Sequence, residues 1–218
     1  MKKSRVLSFK YFLYDFIRIT ALIPGLIWFR PKWIYESKEA KKGIKGGAII
    51  LANHISLYDP MYLHFAYWRR RQRVIAMKEL FTNKFNRWLF TKAFRCIEID
   101  RENFSMNSFK EIVDNLKCGN VVSIFPEGRV NVSGETINSF KGGLVMMASR
   151  GNAPIVPVFI KTRKHFYNRL VFAIGSPIHL DELKQGPIKS TNDVKEILCA
   201  LENKERELAN LTTLKSKK

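Results

Sequence analysis

The stretch Gly47-Ala48-Ile49-Ile50-Leu51-Ala52-Asn53-His54-Ile55-Ser56-Leu57-Tyr58-Asp59-Pro60 runs from a strand through a polar loop into a helix. Its apolar run shows no alternation, so it reads as a strand covered on both faces. Pro60 at the first helical position, with Asp59 as N-cap, opens a helix over 60–70. His54 and Asp59 therefore share one strand-to-helix loop. An imidazole titrates near neutrality and can take a proton from a hydroxyl, and an adjacent carboxylate fixes its tautomer and stabilises the imidazolium that forms. The same two residues also fit a plain surface loop ahead of a capped helix, so the rest of the chain must decide.

Outward from this loop, strand and helix signals alternate. Strands are expected at 47–52, 74–77, 96–100, 121–125, 154–160 and 170–174, and helices at 60–70, 80–93, 104–117, 140–150 and 193–211. Phe109, Ile112, Val113 and Leu116 give one of these helices a buried face, and Val194, Ile197, Leu198 and Leu201 do so for the last. The alternation predicts an α/β fold, a mostly parallel sheet flanked by helices, over residues 46–218. Ligands of such sheets gather at the carboxyl ends of the strands. Three polar clusters fall there: His54 with Asp59, then Asp100-Arg101, then Phe125-Pro126-Glu127-Gly128-Arg129. Gly128 permits a tight turn, and Arg129 offers a forked donor for phosphate or carboxylate.

The 218 residues carry 38 Lys and Arg against 19 Asp and Glu, a formal charge of +19. Such a surplus points to a polyanion, either an acidic membrane surface or nucleic acid. Residues 1–45 favour the membrane. Phe9, Phe12, Leu13, Phe16 and Ile23 recur at helical spacing, with Lys10, Asp15 and Arg18 on the other side. Those charges and Pro24-Gly25 interrupt any run of about 20 apolar residues, the length a span requires. Trp28, Phe29, Arg30, Lys32, Trp33 and Tyr35 suit the headgroup level. Residues 5–35 thus read as one or two amphipathic, membrane-associating helices lying in the interface, although a helix packed on the core has the same pattern. The charges also fit poorly with a secretory signal. A basic nucleic-acid-binding protein is the rival reading, but no zinc finger, helix-turn-helix or aromatic RNA-binding signature accompanies the charge, and nucleic acid is not expected as a partner. Cys96, Cys118 and Cys199 are scattered, which suggests a reducing compartment, and neither they nor the four histidines show metal-ligand spacing.

Several blocks together resemble the glycerolipid and lysophospholipid acyltransferase family. Asn53 and His54 followed by four residues and Asp59 match its first block, and Ile99-Asp100-Arg101 and Phe125 to Gly128 match the next two. Pro154-Ile155-Val156-Pro157-Val158 matches a fourth, and Ser139-Phe140-Lys141-Gly142-Gly143 also looks like the family. The order and spacing hold across residues 46–160. One departure is that Arg129 directly follows Gly128, where the family usually has Gly-Thr-Arg, and Val130 takes the place of the usual Arg. The resemblance implies transfer of an acyl group from acyl-CoA or acyl carrier protein to the hydroxyl of a lysophospholipid, foremost 1-acylglycerol-3-phosphate, with no cofactor and no metal. It makes His54 the general base and Asp59 its orienting partner. Arg101, Arg129 and Lys78 are then expected to hold the acceptor phosphate, with Glu127 and Gly128 at the acceptor site. No acyl-enzyme is needed, and the chain has no Gly-x-Ser-x-Gly. The expected location is the cytoplasmic face of the cell membrane, on an anionic surface.

Overall fold

The computed structural model describes residues 11–100, 105–131, 136–161 and 168–216. Seven strands form one sheet: β1 (Lys32–Tyr35), β2 (Ala48–Ala52), β3 (Gln72–Met77), β4 (Ile97–Ile99), β5 (Val121–Ile124), β6 (Ile155–Lys161) and β7 (Val171–Ile174), in the order β1-β7-β6-β2-β5-β3-β4. Every pairing is parallel except β6 with β7. The helices are α1 (Phe12–Phe29), α2 (Lys38–Lys42), α3 (Asp59–Ala66), α4 (Lys84–Trp88), α5 (Met106–Lys117), α6 (Gly143–Gly151), α7 (Leu180–Leu183) and α8 (Thr191–Ser216). The predicted α/β class is the one observed.

Both sheet faces are covered, which is why the strands lack polar alternation. Along β2, Ile49 and Leu51 join a core with Ile112 and Leu116 of α5, Leu144 and Val145 of α6, and Leu201 of α8. Ala48, Ile50 and Ala52 face the other way, against Tyr62, Leu63 and Phe65 of α3. Because β2, β5, β3 and β4 are neighbours and parallel, their carboxyl ends share one edge.

Three expectations need correction. The segment read as interfacial helix to residue 35 ends in a strand, β1, paired residue for residue with β7 from Lys32↔Val171 to Tyr35↔Ile174. Arg30, at φ 43°, closes the helix, and Ile34 is buried in the sheet. Pro24-Gly25 does not break α1. Proline removes one ladder hydrogen bond, while Gly25 lets the backbone press on α3, since a β-carbon there would lie 2.3 Å from the Phe65 ring. The single helix expected over 80–93 is a 3₁₀ turn (Lys78–Phe81), α4 and a π segment (Leu89–Ala93), with Asn83 capping the Asn86 N–H at 2.7 Å between the first two.

α1 turns a mixed face to the protein, with Leu22 and Phe29 packed against the core. Its polar residues face the protein: Tyr14 and Asp15 are buried, Asp15 bonds Arg71 at 2.6 Å and Arg18 at 3.2 Å, and Arg18 reaches the Trp68 carbonyl. The Tyr14 hydroxyl accepts the Gln72 N–H at 3.0 Å and lies 3.1 Å from His64 Nε2. Phe12, Phe16, Ile19, Ile23, Ile27 and Trp28 point outward, between 47% and 73% exposed.

Candidate active site

The chain leaves β2 through Asn53, whose buried amide replaces strand pairing. Its Nδ2 donates to the Ile160 carbonyl at 3.0 Å and its Oδ1 accepts the Ile160 N–H at 2.7 Å, tying the ends of β2 and β6 together. His54 follows, and its backbone is held from both sides. Its N–H donates to Glu127 Oε1 at 3.0 Å, and its carbonyl accepts the Asn131 N–H at 2.6 Å. The imidazole lies on the Phe125 ring, 4.3 Å between centroids.

His54 Nδ1 and Asp59 Oδ2 are 3.0 Å apart. Asp59 was expected to cap α3. It is instead the first helical residue, and its carboxylate turns back to the loop, where Oδ2 also accepts the Ile55 and Ser56 N–H groups at 2.7 Å each. The helix N-terminus favours that negative charge. Asp59 is fully buried, and its Oδ1 has no partner among the described residues. With Nδ1–H committed to the carboxylate, the imidazole presents Nε2 as its basic atom. This is the geometry of a general base with an orienting acid.

Glu127 faces inward. Only 5% exposed, it accepts the His54 N–H on Oε1 and the Asn138 N–H on Oε2 at 3.2 Å. Burial pushes its carboxyl up from the ordinary range, and the hydrogen bonds from His54, Asn138 and Asn131 partly offset this. From the sequence Glu127 was expected to bind or position the acceptor, with no chemical step assigned to it. Its bond to His54 joins loops 73 residues apart.

The dyad opens on a cavity of about 870 Å³, within the range of small-molecule sites. Its walls are mostly apolar: Ile17 and Leu22 of α1, Met61 and Phe65 of α3, Val74 and Ala76 of β3, then Phe90, Phe94, Leu144 and Met147. Leu57, Tyr58, Met61 and Leu80 line it and are also exposed, so its lip is apolar. The expected phosphate-binding cations are placed differently from one another. Lys78 pairs with Asp100 at 2.5 Å. Arg129 is exposed, and the neighbouring Gly128 and Val130 line the cavity in its stead. Arg101 lies outside the described residues. Gly128 adopts φ +73°, the left-handed turn expected of it. Lys141, for which no role was expected, does line the cavity.

This arrangement can be set beside known proteins. The family model described as Acyltransferase matches residues 33–161. A 1-acyl-sn-glycerol-3-phosphate acyltransferase of Bacillus subtilis is 30% identical over 170 residues, covering 72% of this chain and 82% of that protein. One of Streptococcus pneumoniae is 30% identical over 143 residues, covering 63% and 52%. The crystal structure of the 1-acyl-sn-glycerophosphate acyltransferase of Thermotoga maritima has the same fold, with a TM-score of 0.64 at 21% identity over 93% of this chain and 80% of that one. The matched span begins in β1 and ends in β6, enclosing the dyad, the Glu127 turn and most of the cavity wall. By that match the chain belongs to the Acyltransferase family and is an O-acyltransferase.

Proposed function

We propose that this enzyme moves a fatty acyl group from an acyl thioester, acyl-CoA or acyl carrier protein, to the free hydroxyl of 1-acylglycerol-3-phosphate, giving phosphatidate for phospholipid synthesis. The observation that carries the proposal is the His54–Asp59 pair at the mouth of a large apolar cavity. His54 Nε2 takes the hydroxyl proton as the oxygen attacks the thioester carbonyl. The new C–O bond forms, the C–S bond breaks, and the imidazolium returns the proton to the leaving thiolate. Asp59 stabilises the imidazolium in between, and Glu127 fixes the backbone from which the ring acts. The apolar cavity suits an acyl chain. The names of the bacterial relatives support lysophosphatidate as acceptor.

The reading includes the bilayer. An outward apolar stripe on α1, polar anchors on its inward face and an apolar cavity lip support a helix lying in the interface, through which both lipids reach the site. By length and composition α1 is also the one described helix apolar enough to cross a membrane. Its buried Tyr14, Asp15 and Arg18 contacts favour attachment along the domain. The charge of +19 suits an anionic leaflet, with about 1 kcal/mol for each Lys or Arg near it. Cytoplasmic placement fits the three unpaired cysteines.

The test is a mass-spectrometric assay on liposomes that offers acyl-CoA and acyl carrier protein donors with a panel of lysophospholipids. Phosphatidate from lysophosphatidate is the expected product. A diacyl product from another headgroup alone would replace the acceptor, and no transfer from any pair would refute the reading.

A further inference from the structure

Lys141 precedes α6 and is the lysine lining the cavity. Its backbone N–H donates to the Pro126 carbonyl at 3.1 Å, which seats it on the turn from Phe125 to Gly128. That turn also carries the ring stacked on His54. The stem of Lys141 crosses Gly128 so closely that a β-carbon there would lie 3.2 Å from Cε and 3.4 Å from Nζ. Glycine at 128 thus serves the positive φ and leaves a channel for the lysine chain. Two other cations near this edge are engaged: Lys78 with Asp100, and Arg87 with Glu98 at 2.8 Å. Lys141 and Arg129 meet no carboxylate among the described residues.

An ammonium held over a glycine turn, lining the same apolar cavity as His54 and meeting no carboxylate among the described residues, is a receptor for an anion. We infer that Lys141 binds a phosphoryl group of a substrate as that substrate's reacting carbon or oxygen reaches His54, with Arg129 adding charge from the rim. A lysine suits this task as a compact point charge. The phosphoryl group belongs either to the acceptor or to the phosphopantetheine arm or nucleotide of the thioester donor. The inference rests on the proposed acyl transfer and adds to it the residue that recognises phosphate.

Lys141→Met keeps the stem over Gly128 and removes the charge. In neutral detergent micelles, where bilayer charge plays no part, KM for one substrate should rise about 10- to 100-fold, the worth of a charged hydrogen bond. The change in kcat should stay within about threefold, and Lys141→Arg should recover most of the loss. A rise in the acceptor KM assigns the phosphate to the lysophospholipid, and a rise in the donor KM assigns it to the carrier. Should Lys141→Met fail to fold, Lys141→Gln takes its place. Binding is measured separately in the inactive His54→Ala protein, with lysophosphatidate against monoacylglycerol of the same chain and with acyl-CoA against its dephosphorylated acyl-pantetheine. Loss of affinity confined to the phosphorylated member of either pair supports the site even if no transfer is found. Both KM values and all four affinities unchanged within twofold would overturn it.

Discussion

Replacing Glu127 by glutamine separates a scaffold for His54 from a contact with the acceptor. The carboxylate receives the His54 N–H on one oxygen and the Asn138 N–H on the other, with Asn131 as a further donor. Glutamine keeps one acceptor oxygen and puts an NH₂ where the second stood, so at least one buried N–H faces a donor. Leaving such a group unpaired costs about 1–3 kcal/mol. For a chain of this size that lowers Tm by roughly 2–12 °C. The deficit depends on pH. Burial raises the Glu127 carboxyl in the folded state, so above its ordinary value of 4.5 the folded protein holds the proton more tightly than the unfolded chain. Wild-type stability from this group is fully present at low pH and declines as pH rises through the folded value, and the gap to the variant narrows with it. Release of the His54 backbone also misplaces the imidazole, and an error near 1 Å costs about 10²-fold in rate. Thermal melts between pH 4 and 8, with kcat and KM on mixed micelles, check both effects. An unchanged kcat with a tenfold higher acceptor KM would refute the scaffold and make Glu127 a substrate contact.

The buried Glu205 of α8 accepts the Val158 N–H at 3.1 Å, and burial pushes its carboxyl up to about 8, with the nearby Glu127 charge adding to the shift. Between pH 4.5 and 8 the wild type should lose up to about 1.4 kcal/mol per pH unit relative to Glu205→Gln, and parallel denaturation curves for the two proteins would disprove the shift. The outward stripe of α1 predicts that Phe16→Ser with Ile23→Ser, which remove about 1–2 kcal/mol of apolar transfer each, weaken flotation with anionic liposomes roughly 30- to 1,000-fold and leave Tm within a few degrees. Unchanged flotation would exclude this face as the membrane contact.

Much of the architecture was legible because both-face burial leaves a continuous apolar signature. The strands from β2 to β7 and the helices α3, α5 and α6 between them follow from it, as does the placing of His54, Asp59 and Glu127 on one sheet edge. The failures have physical causes. β1 is four residues of mixed basic and aromatic character whose partner lies near residue 171, so no local pattern announces it. In α1 the helical spacing was visible, but not which face meets the protein. That depended on Tyr14, Asp15 and Arg18 finding Gln72, Arg71 and Trp68 far along the chain. Asp59 had the sequence of a cap, yet three donors in the preceding loop claim its carboxylate. Among the cations, sequence could rank only motif positions. It had no means of knowing that Asp100 would engage Lys78 while Lys141, above Gly128, would meet no carboxylate among the described residues.

The central claim, a His54 general base held by Asp59, is tested most directly by comparing phosphatidate formation by wild-type and His54→Ala proteins with saturating lysophosphatidate and thioester. The dyad predicts a loss in kcat of about 10²- to 10⁴-fold, with Tm within a few degrees, because the ring is partly exposed and its backbone bonds to Glu127 and Asn131 remain. A folded His54→Ala enzyme that retains more than about a tenth of wild-type kcat would contradict it.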